Sequence, residues 1–541
     1  MEAYDYIIVG AGSAGAIVAN RLSEEENCNV LLIEAGGKDN TTWLRKPGMI
    51  MILHTVEQLS KKFDWGYSLE ANPVLDGRRI GYYRGRVLGG CSSVNGMVYV
   101  RGNRADFDGW AQDGCEGWSY DDVLPYFKKL ETYHGDGDSK YRGTDGPINV
   151  IETPNPSPIS EAFVEAVADA FDTKVNPDYN GADQEGASML QVNSYKGVRQ
   201  STSVSYLDPI KDTRKNFHML IHHNVTRVLL EGTRCVGVEV ADKNGNLTEI
   251  RANQEVIVAA GAVNSPILLM QSGIGPADHL RDVGIECKVD LPVGENLHDH
   301  AFFPLTYNSK LSNNSSTAGH IMKGLFKEYL GGGGSFLQKS MFENVGFVDS
   351  GFESVDAPDL QLHAMPWAYP PDQDSPGIPE VNKKPSITIL PTLMCPKSRG
   401  FVRLQSADPK VAPLIDVKYF DDIRDRDFLL HSIERVRDMM AGPLMKDKHQ
   451  GEVEPGPDYS TREQMIQEIT NRIWTVYHPV GTCRMGSADD ARSVVDPQLR
   501  VLGVEGLRVA DASVMPTITR GNTNVPAMMV GERAADLIRG I

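Results

Sequence analysis

The sequence lacks an excess of positive charge. Its 54 lysine and arginine residues are outnumbered by 72 aspartate and glutamate residues, which gives a formal net charge of −18. A nucleic-acid-binding protein needs a basic face that neutralises phosphates, so this balance argues against nucleic acid as a partner. It also argues against docking on an anionic membrane surface. The chain is 41% hydrophobic, which is too apolar for a disordered protein, so we expect a folded protein.

Paired cysteines and long apolar runs are also scarce. The seven cysteines are an odd number and form no C-x-x-C pair, which argues against a disulfide framework and against structural zinc. We therefore expect reduced thiols in a cytoplasmic protein. We expect no signal peptide, because the polar residues 1–3 run directly into a strand pattern. The most apolar stretch, residues 256–270, is interrupted by Pro266 and is too short to span a membrane.

The first segment of the chain carries a dinucleotide-binding pattern. Residues 4–9 predict a buried strand, Gly10-Ala11-Gly12-Ser13-Ala14-Gly15 follows as a glycine turn, and residues 16–22 continue as a helix. A second apolar strand, residues 29–33, ends in Glu34. A lone G-x-G-x-x-G is weak in a chain with 52 glycines, but this strand–turn–helix–strand–acid context makes it informative.

Each part of that pattern has a physical role. Gly10 permits the tight turn, Gly12 lets the backbone approach a pyrophosphate, and Gly15 allows close packing of the helix on the strand. The helix N-terminus offers free N–H groups to the phosphates. Glu34 is placed to accept hydrogen bonds from ribose hydroxyls and opposes a 2′-phosphate, which disfavours NADP. NAD and FAD both remain open on this pattern alone.

Pieces suited to a nucleotide-binding domain occur at both ends of the chain. Residues 224–240 predict a hairpin, residues 255–261 a further buried strand, and residues 507–541 a strand, turn and helix. We therefore predict an α/β fold with one discontinuous nucleotide-binding domain, residues 1–150, 220–300 and 475–541. Residues 151–219 and 301–474 form the predicted substrate-binding domain.

Four further segments carry a family resemblance. They are GGCSSVNGMVYVRG at residues 89–102, GAVNSPILLMQSGIG at 261–275, YHPVGTCRMG at 477–486 and NTNVPAMM at 522–529. In this order they resemble the signatures of the glucose–methanol–choline (GMC) oxidoreductases. The resemblance implies an α/β (α+β) protein in which a Rossmann-like FAD-binding domain carries an inserted antiparallel-sheet substrate-binding domain. It also implies oxidation of an alcohol with FAD.

The resemblance assigns cofactor-binding roles residue by residue. The pyrophosphate would be held by Gly10, Gly12, Ser13, Ala14 and Gly15, the adenosine ribose by Glu34 and Ala35, and the adenine by Val225. The flavin and ribityl chain would be lined by Gly89, Gly90, Asn95, Gly96, Met97 and Val98. The ribityl–phosphate end would meet Asp511 and Ala512. Asn524 and Val525 lie in the closing flavin-side segment. Some members attach FAD through a histidine that is replaced here by Val94, so we expect non-covalent FAD.

The chemistry of alcohol oxidation names the catalytic candidates. A base must take the hydroxyl proton while the flavin N5 accepts the hydride. His478, within the matched motif, is the predicted base, since a histidine has a free pKa near about 6.5. Asn524 is predicted to hydrogen-bond the substrate oxygen; Asn522 competes for this role, but the family register favours Asn524. His298-Asp299-His300 resembles a common family segment, and we expect no metal there.

The substrate is the least determined feature. Glu343 with Trp367 and Tyr369 would suit choline, since a quaternary ammonium favours aromatic rings. Met365 and Trp367 indicate an apolar pocket instead, so the main expectation is an aryl or aliphatic primary alcohol oxidised to the aldehyde, by O₂ or by another acceptor. The alternatives are a choline dehydrogenase or oxidase, more distantly a hydroxynitrile lyase of the same fold, and a non-enzymatic flavin-binding protein.

Overall fold

The apolar run Val30–Glu34 forms a strand whose five residues are all buried. Such a strand suits the interior of a parallel sheet that is covered on both faces. It lies between Tyr4–Val9 and Phe217–Ile221, and it pairs with both in parallel. The computed structural model describes residues 4–50, 53, 57–311, 318–330, 336–369 and 384–541.

The sheet that contains this strand has seven strands and is called here the nucleotide sheet. Its strands are Tyr4–Val9, Val30–Glu34, Phe217–Ile221, Asn224–Glu231, Arg234–Ala241, Leu247–Val258 and Leu507–Val509. The end of Leu247–Val258 pairs in parallel with the first strand and with Leu507–Val509, while its beginning joins the antiparallel hairpin. The predicted domain boundary at residue 220 falls inside the strand Phe217–Ile221.

A second sheet has eight strands, all paired antiparallel, and is called here the platform sheet. Its strands are Gly186–Met189, Ala301–Phe302, Leu305–Ser309, Asn344–Val348, Leu360–Met365, Ser386–Leu393, His449–Glu454 and Trp474–Thr475. The strands Asn344–Val348, Leu360–Met365 and Ser386–Leu393 are buried along their whole length. The predicted combination of a nucleotide-binding sheet with an inserted antiparallel sheet is confirmed.

Helices and short strands cover these sheets. The α-helices are Gly15–Leu22, Thr42–Arg45, Glu57–Ser60, Arg104–Gln112, Tyr120–Leu130, Pro158–Ala170, Gly261–Gln271, Ala277–Asp282, Ala318–Tyr329, Ile423–Ala441, Arg462–Arg472 and Asn524–Arg539. The short strands are Tyr67–Ser68, Gly81–Tyr82, Glu131–Tyr133, Ile148–Glu152, Gln191–Val192, Ser194–Tyr195, Val198–Arg199, Phe401–Arg403 and Leu414–Asp416. Single turns of 3₁₀-helix are Pro47–Met49, Pro73–Leu75, Gly90–Ser93, Phe336–Gln338 and Ala512–Val514, and Ser203–Leu207 is a π-helix.

The last helix brings the end of the chain against its beginning. Asn524–Arg539 packs on Gly15–Leu22, and a Cβ at Gly531 would lie 2.8 Å from the Ala14 carbonyl oxygen. This close approach places the segment before the helix beside the glycine turn. In the described part of the chain, no helix is both long and apolar enough to cross a membrane. All seven cysteines are unpaired.

Candidate active site

A cavity of ≈ 1290 Å³ is lined by residues of both large sheets and of the loops between them. One end is formed by Glu34, Val225 and the glycine turn, and His478 lies in the lining with the platform-sheet residues His363 and Met365. The sequence motifs of residues 10–15, 89–98 and 477–479 therefore contribute to one continuous space.

Two glycine loops meet with almost no space between their backbones. A Cβ at Gly90, whose φ is +52°, would lie 2.8 Å from the Gly12 Cα. The Gly89 N–H donates to the Ala11 carbonyl at 2.8 Å. On Gly12 itself a Cβ would meet nothing closer than 4.0 Å, so the backbone at Gly12 has open space on its Cβ side. This geometry fits a phosphate that approaches the main chain closely.

Most of the predicted cofactor residues line this cavity. Those in the lining are Gly10, Gly12, Ser13, Ala14, Glu34, Ala35, Gly90, Asn95, Gly96, Met97, Val98, Val225, Asp511, Ala512 and Asn524. Gly15, Gly89 and Val525 are outside the lining. Gly15 has a packing role, because a Cβ there would lie 2.0 Å from the Gly10 carbonyl oxygen.

Two carboxylates hold the backbone around the cavity. Glu34 accepts the N–H groups of Ala11 at 2.9 Å and Gly36 at 2.7 Å, and burial raises its pKa to about 7. Asp511 accepts the Gly261 N–H at 2.8 Å and the Ser265 hydroxyl. Asp511 thereby ties the last strand of the nucleotide sheet to the N-terminus of the helix Gly261–Gln271.

His478 is held in place by its main chain. The preceding residue, Tyr477, has a φ of +64°, and its carbonyl accepts the Arg84 guanidinium at 2.6 Å. The His478 N–H donates to the buried Asp299 carboxylate at 2.7 Å. A non-glycine residue seldom adopts positive φ. The two hydrogen bonds, one to the Tyr477 carbonyl and one from the His478 N–H, stabilise this uncommon conformation of Tyr477.

Asp299 accepts further hydrogen bonds. It accepts the hydroxyls of Tyr82 at 2.9 Å, Tyr419 at 3.2 Å and Thr475. Burial raises the pKa of this carboxyl from its usual 3.8. Within the described ranges, no group of three or more His, Cys, Asp and Glu side chains is arranged to hold a metal ion. Asp299 is thus part of the support of His478.

The two candidate asparagines contact different partners. The Asn522 amide lies 3.1 Å from His478 Nε2, whereas the Asn524 side chain accepts the Ser13 hydroxyl at 2.7 Å. Asn522, and not Asn524, therefore lies within hydrogen-bond distance of His478. Asn524 is the first residue of the last helix, and this position points its side chain at the glycine turn, while Asn522 precedes the helix.

Asn524 instead fits the cofactor end of the cavity. Its amide nitrogen is buried and has no hydrogen-bond partner among the residues that the structure describes, and the residue lines the cavity. A buried unpaired donor costs about 1–3 kcal/mol, so a bound acceptor would relieve this cost. With the open backbone at Gly12, this donor supports the binding of a dinucleotide along the cavity.

Burial controls the protonation of His478. The side chain is 9% exposed, and burial together with His300, Arg84 and His363 holds its pKa well below 6.5. The imidazole is therefore neutral near pH 7 and has a lone pair to accept a proton. This is the state that a general base requires.

The platform sheet supplies an aromatic wall. Trp367, Tyr369 and Met365 line the cavity, as do Phe342 and His363. Glu343 points away from the cavity and accepts the hydroxyls of Ser157 at 2.6 Å and Ser160 at 2.8 Å. Its carboxylate thus supports the start of the helix Pro158–Ala170 and lies outside the lining of the cavity.

Residues that the sequence analysis did not select complete the surroundings of His478. Gln361 donates to the Asn522 amide oxygen at 3.2 Å, and His363 is 3.0 Å from Gln361. His300 Nδ1 lies 3.0 Å from His478 Nδ1. Nothing in their spacing marks them, because residues of the platform sheet meet the C-terminal motifs only in three dimensions.

Comparison with known proteins decides the family. Models of the N-terminal and C-terminal regions of the GMC oxidoreductases match residues 4–302 and 396–531. The chain belongs to the glucose–methanol–choline oxidoreductase family. This GMC protein is an FAD-dependent oxidoreductase of the type that acts on CH–OH groups.

Individual relatives extend over the whole chain. This GMC protein is 40% identical to the oxygen-dependent choline dehydrogenase of Sinorhizobium fredii, over 99% of this chain and 95% of that protein. The solved structure of pyridoxine 4-oxidase from Mesorbium loti has a TM-score of 0.87 and 29% identity, with 99% of each chain covered. Formate oxidase, known from Aspergillus oryzae, has a TM-score of 0.90 and 27% identity, with 100% of this chain and 98% of that chain covered.

The contact between the glycine loops is testable through flavin content. We expect Gly90→Ala to be purified with less than about a tenth of the wild-type flavin per chain, since the new Cβ would collide with the Gly12 main chain. Flavin absorbance relative to protein measures this. Gly109→Ala is the matched control, because a Cβ there meets nothing within 4 Å; equal flavin loss in both variants would contradict the argument.

The asparagine assignment is testable by a pair of variants. We expect Asn522→Ala to slow flavin reduction by about 100-fold, as the loss of one donor to a developing oxyanion does, while flavin binding is retained. Asn524→Ala is expected to weaken FAD binding and to leave the rate per bound flavin within about threefold of wild type. Anaerobic stopped-flow measurement and flavin titration separate the two effects, and an exchange of these two results would refute the assignment.

Proposed function

We propose that this GMC protein oxidises a primary alcohol to the aldehyde, with His478 as the base and Asn522 as the hydrogen-bond donor to the substrate oxygen. One observation carries the proposal. The two side chains converge at 3.1 Å in the lining of a cavity that also contains the dinucleotide motif. Both groups can therefore address one oxygen atom placed in that cavity.

The residues divide the chemistry between them. The neutral His478 Nε2 takes the hydroxyl proton, and the Asn522 amide N–H moves from Nε2 to the oxygen as negative charge develops there. Arg84, which is partly buried and donates to the Tyr477 carbonyl, adds positive charge near that oxygen. FAD, when bound, supplies the acceptor of the hydride that leaves the carbinol carbon.

Choline is the first substrate class that we propose. The oxygen-dependent choline dehydrogenases at about 40% identity favour it. The aromatic wall of Trp367 and Tyr369, with Trp65 and Tyr67 also in the lining, suits a trimethylammonium group. A cation over an aromatic face gains about 0.5–2 kcal/mol.

A neutral aryl or aliphatic primary alcohol is the second candidate, and a specific observation favours it. Among the described residues that line the cavity, the carboxylates are Glu34 and Asp511, and both already accept main-chain N–H groups. Arg84 is a cation near His478. A positively charged substrate would therefore be bound by aromatic rings alone, because no carboxylate among these described lining residues is free to pair with its charge.

The electron acceptor and the cellular location belong to the proposal as well. We propose O₂ as the acceptor, as the names of the curated relatives favour it, with another acceptor as the alternative. The seven unpaired cysteines support a reducing compartment, hence the cytoplasm.

Anaerobic bleaching of the flavin tests the reaction. We expect a primary alcohol to bleach the bound yellow flavin and His478→Gln to slow this step by about 100-fold or more, because the proton has no acceptor. Admission of air then distinguishes acceptors, since rapid reoxidation with peroxide supports O₂. Cyanide release from a hydroxynitrile without bleaching would contradict the proposal, as would an unchanged rate in His478→Gln.

A pair of isosteric alcohols tests the substrate class. Choline and 3,3-dimethylbutan-1-ol share one shape and differ in the positive charge. We expect kcat/KM to favour choline by about tenfold or more, which corresponds to about 1.4 kcal/mol of cation–π attraction. A higher kcat/KM for 3,3-dimethylbutan-1-ol would contradict choline as the substrate and support a neutral alcohol.

A further inference from the structure

A continuous series of hydrogen bonds runs through His478 and ends on a main-chain carbonyl on each side. In order, it joins the Asn344 carbonyl, His363, Gln361, Asn522, His478, His300 and the Met394 carbonyl. Its six contacts measure 3.0, 3.0, 3.2, 3.1, 3.0 and 3.0 Å. Because a carbonyl oxygen only accepts hydrogen bonds, each end fixes the direction of the whole series.

The Met394 end determines one side of His478. His300 Nε2 lies 3.0 Å from the Met394 carbonyl oxygen and must carry the hydrogen. His300 is fully buried, and burial lowers its pKa to about 3, so the ring is neutral and its Nδ1 is a bare acceptor. His478 Nδ1, 3.0 Å away, must therefore donate to it.

The Asn344 end determines the other side independently. His363 Nδ1 donates to the Asn344 carbonyl, so His363 Nε2 accepts the Gln361 amide N–H. The same Gln361 amide nitrogen donates to the Asn522 amide oxygen. The Asn522 NH₂ group is then turned to His478 and donates to Nε2. Both ends of the series therefore require the same tautomer of His478.

We propose that His300 is a positioning residue that fixes the neutral tautomer of His478 with its hydrogen on Nδ1 and its lone pair on Nε2. The proposal rests on the proposed function, since Nε2 is the atom that receives the substrate proton. Once Nε2 has gained that proton, the bond from Nδ1–H to His300 becomes charge-assisted and stronger. His300 thus serves both the resting base and the imidazolium that follows it.

Two neighbouring residues of the segment His298-Asp299-His300 share one purpose in this arrangement. Asp299 accepts the main-chain N–H of His478, while His300 accepts from its ring. His298 contacts neither; its Nε2 accepts the Ile518 N–H at 2.8 Å. Consecutive residues of one short segment therefore hold the backbone and the side chain of His478.

Two substitutions of one shape test the role of His300. Leucine and asparagine have similar outlines, but only asparagine offers an oxygen that can accept from His478 Nδ1. Per bound flavin, we expect the limiting rate of alcohol-driven bleaching to fall by about 10- to 100-fold in His300→Leu, as for other residues that orient a functional histidine. In His300→Asn we expect it to stay within about threefold, with the apparent Kd for the alcohol little changed in both.

Two kinetic outcomes would overturn the proposal. One is a wild-type rate in His300→Leu, and the other is equal slowing in both variants, which would show that packing alone matters. His298→Leu is the matched control, because His298 is equally buried and does not touch His478. Its rate per bound flavin is expected to stay near wild type, and slowing equal to that of His300→Leu would count against the proposal.

A measurement on the unsubstituted holoenzyme makes the test independent of variant folding. In ¹⁵N-histidine-labelled protein, long-range ¹H–¹⁵N correlation spectra distinguish Nδ1–H from Nε2–H rings, and the His478 signals are those missing in His478→Gln. We expect the Nδ1–H pattern at neutral pH, and a predominant Nε2–H pattern would refute the proposal. If no alcohol bleaches the flavin, the proposed function fails, and this spectrum still decides the tautomer.

Discussion

The close approach of two main chains at the glycine loops is the constraint on which the site depends. Gly90 can lie against Gly12 only because Gly90 has no Cβ, and the hydrogen bond from the Gly89 N–H to the Ala11 carbonyl closes the contact. This contact brings the first GMC signature onto the turn that follows the first strand. Residues 95–98, which line the middle of the cavity, are positioned as a consequence. An additional methyl group at Gly90 would displace the Gly12 main chain, which cannot rotate away as a flexible side chain does.

A second constraint acts at the other end of the cavity, where a neutral imidazole must be both buried and oriented. Burial lowers the pKa of His478 and removes water that would otherwise satisfy its nitrogens. Each nitrogen therefore needs a protein partner, and Asn522 and His300 provide them. Asp299 and Arg84 hold the backbone on which the ring is mounted. The polar groups are costly to bury singly, and the series gives each of its members at least one hydrogen-bond partner.

The platform sheet lines the cavity beside His478. Its strand Leu360–Met365 carries Gln361 and His363. Trp367 and Tyr369 of the aromatic wall follow soon after that strand, so one stretch of chain supplies both the contacts to Asn522 and the rings of the cavity. Glu343, on the loop before the strand Asn344–Val348, turns to the helix Pro158–Ala170. That carboxylate lies outside the lining of the cavity, to which rings, apolar side chains and Arg84 contribute.

Local features of the sequence were sufficient for the family, for the glycine turn and for the buried strands, because these depend on neighbouring residues. The run Val30–Glu34 is apolar throughout and is buried throughout, and the hairpin of residues 224–241 forms where alternating residues and a turn predict it. His478 was identifiable from its motif.

What only the tertiary structure decided concerns groups that are distant in sequence. The choice between Asn522 and Asn524 depends on where the last helix begins, since a shift of two residues turns a side chain from the histidine to the glycine turn. The role of His298-Asp299-His300 depends on contacts with residues 475–478 and 518. Sequence patterns record periodicity and motif order, whereas these partners are brought together by the antiparallel pairing of the platform sheet and by the packing of the C-terminal segment. For this physical reason the sequence alone predicted the type of chemistry, but it did not predict which side chains meet beside His478.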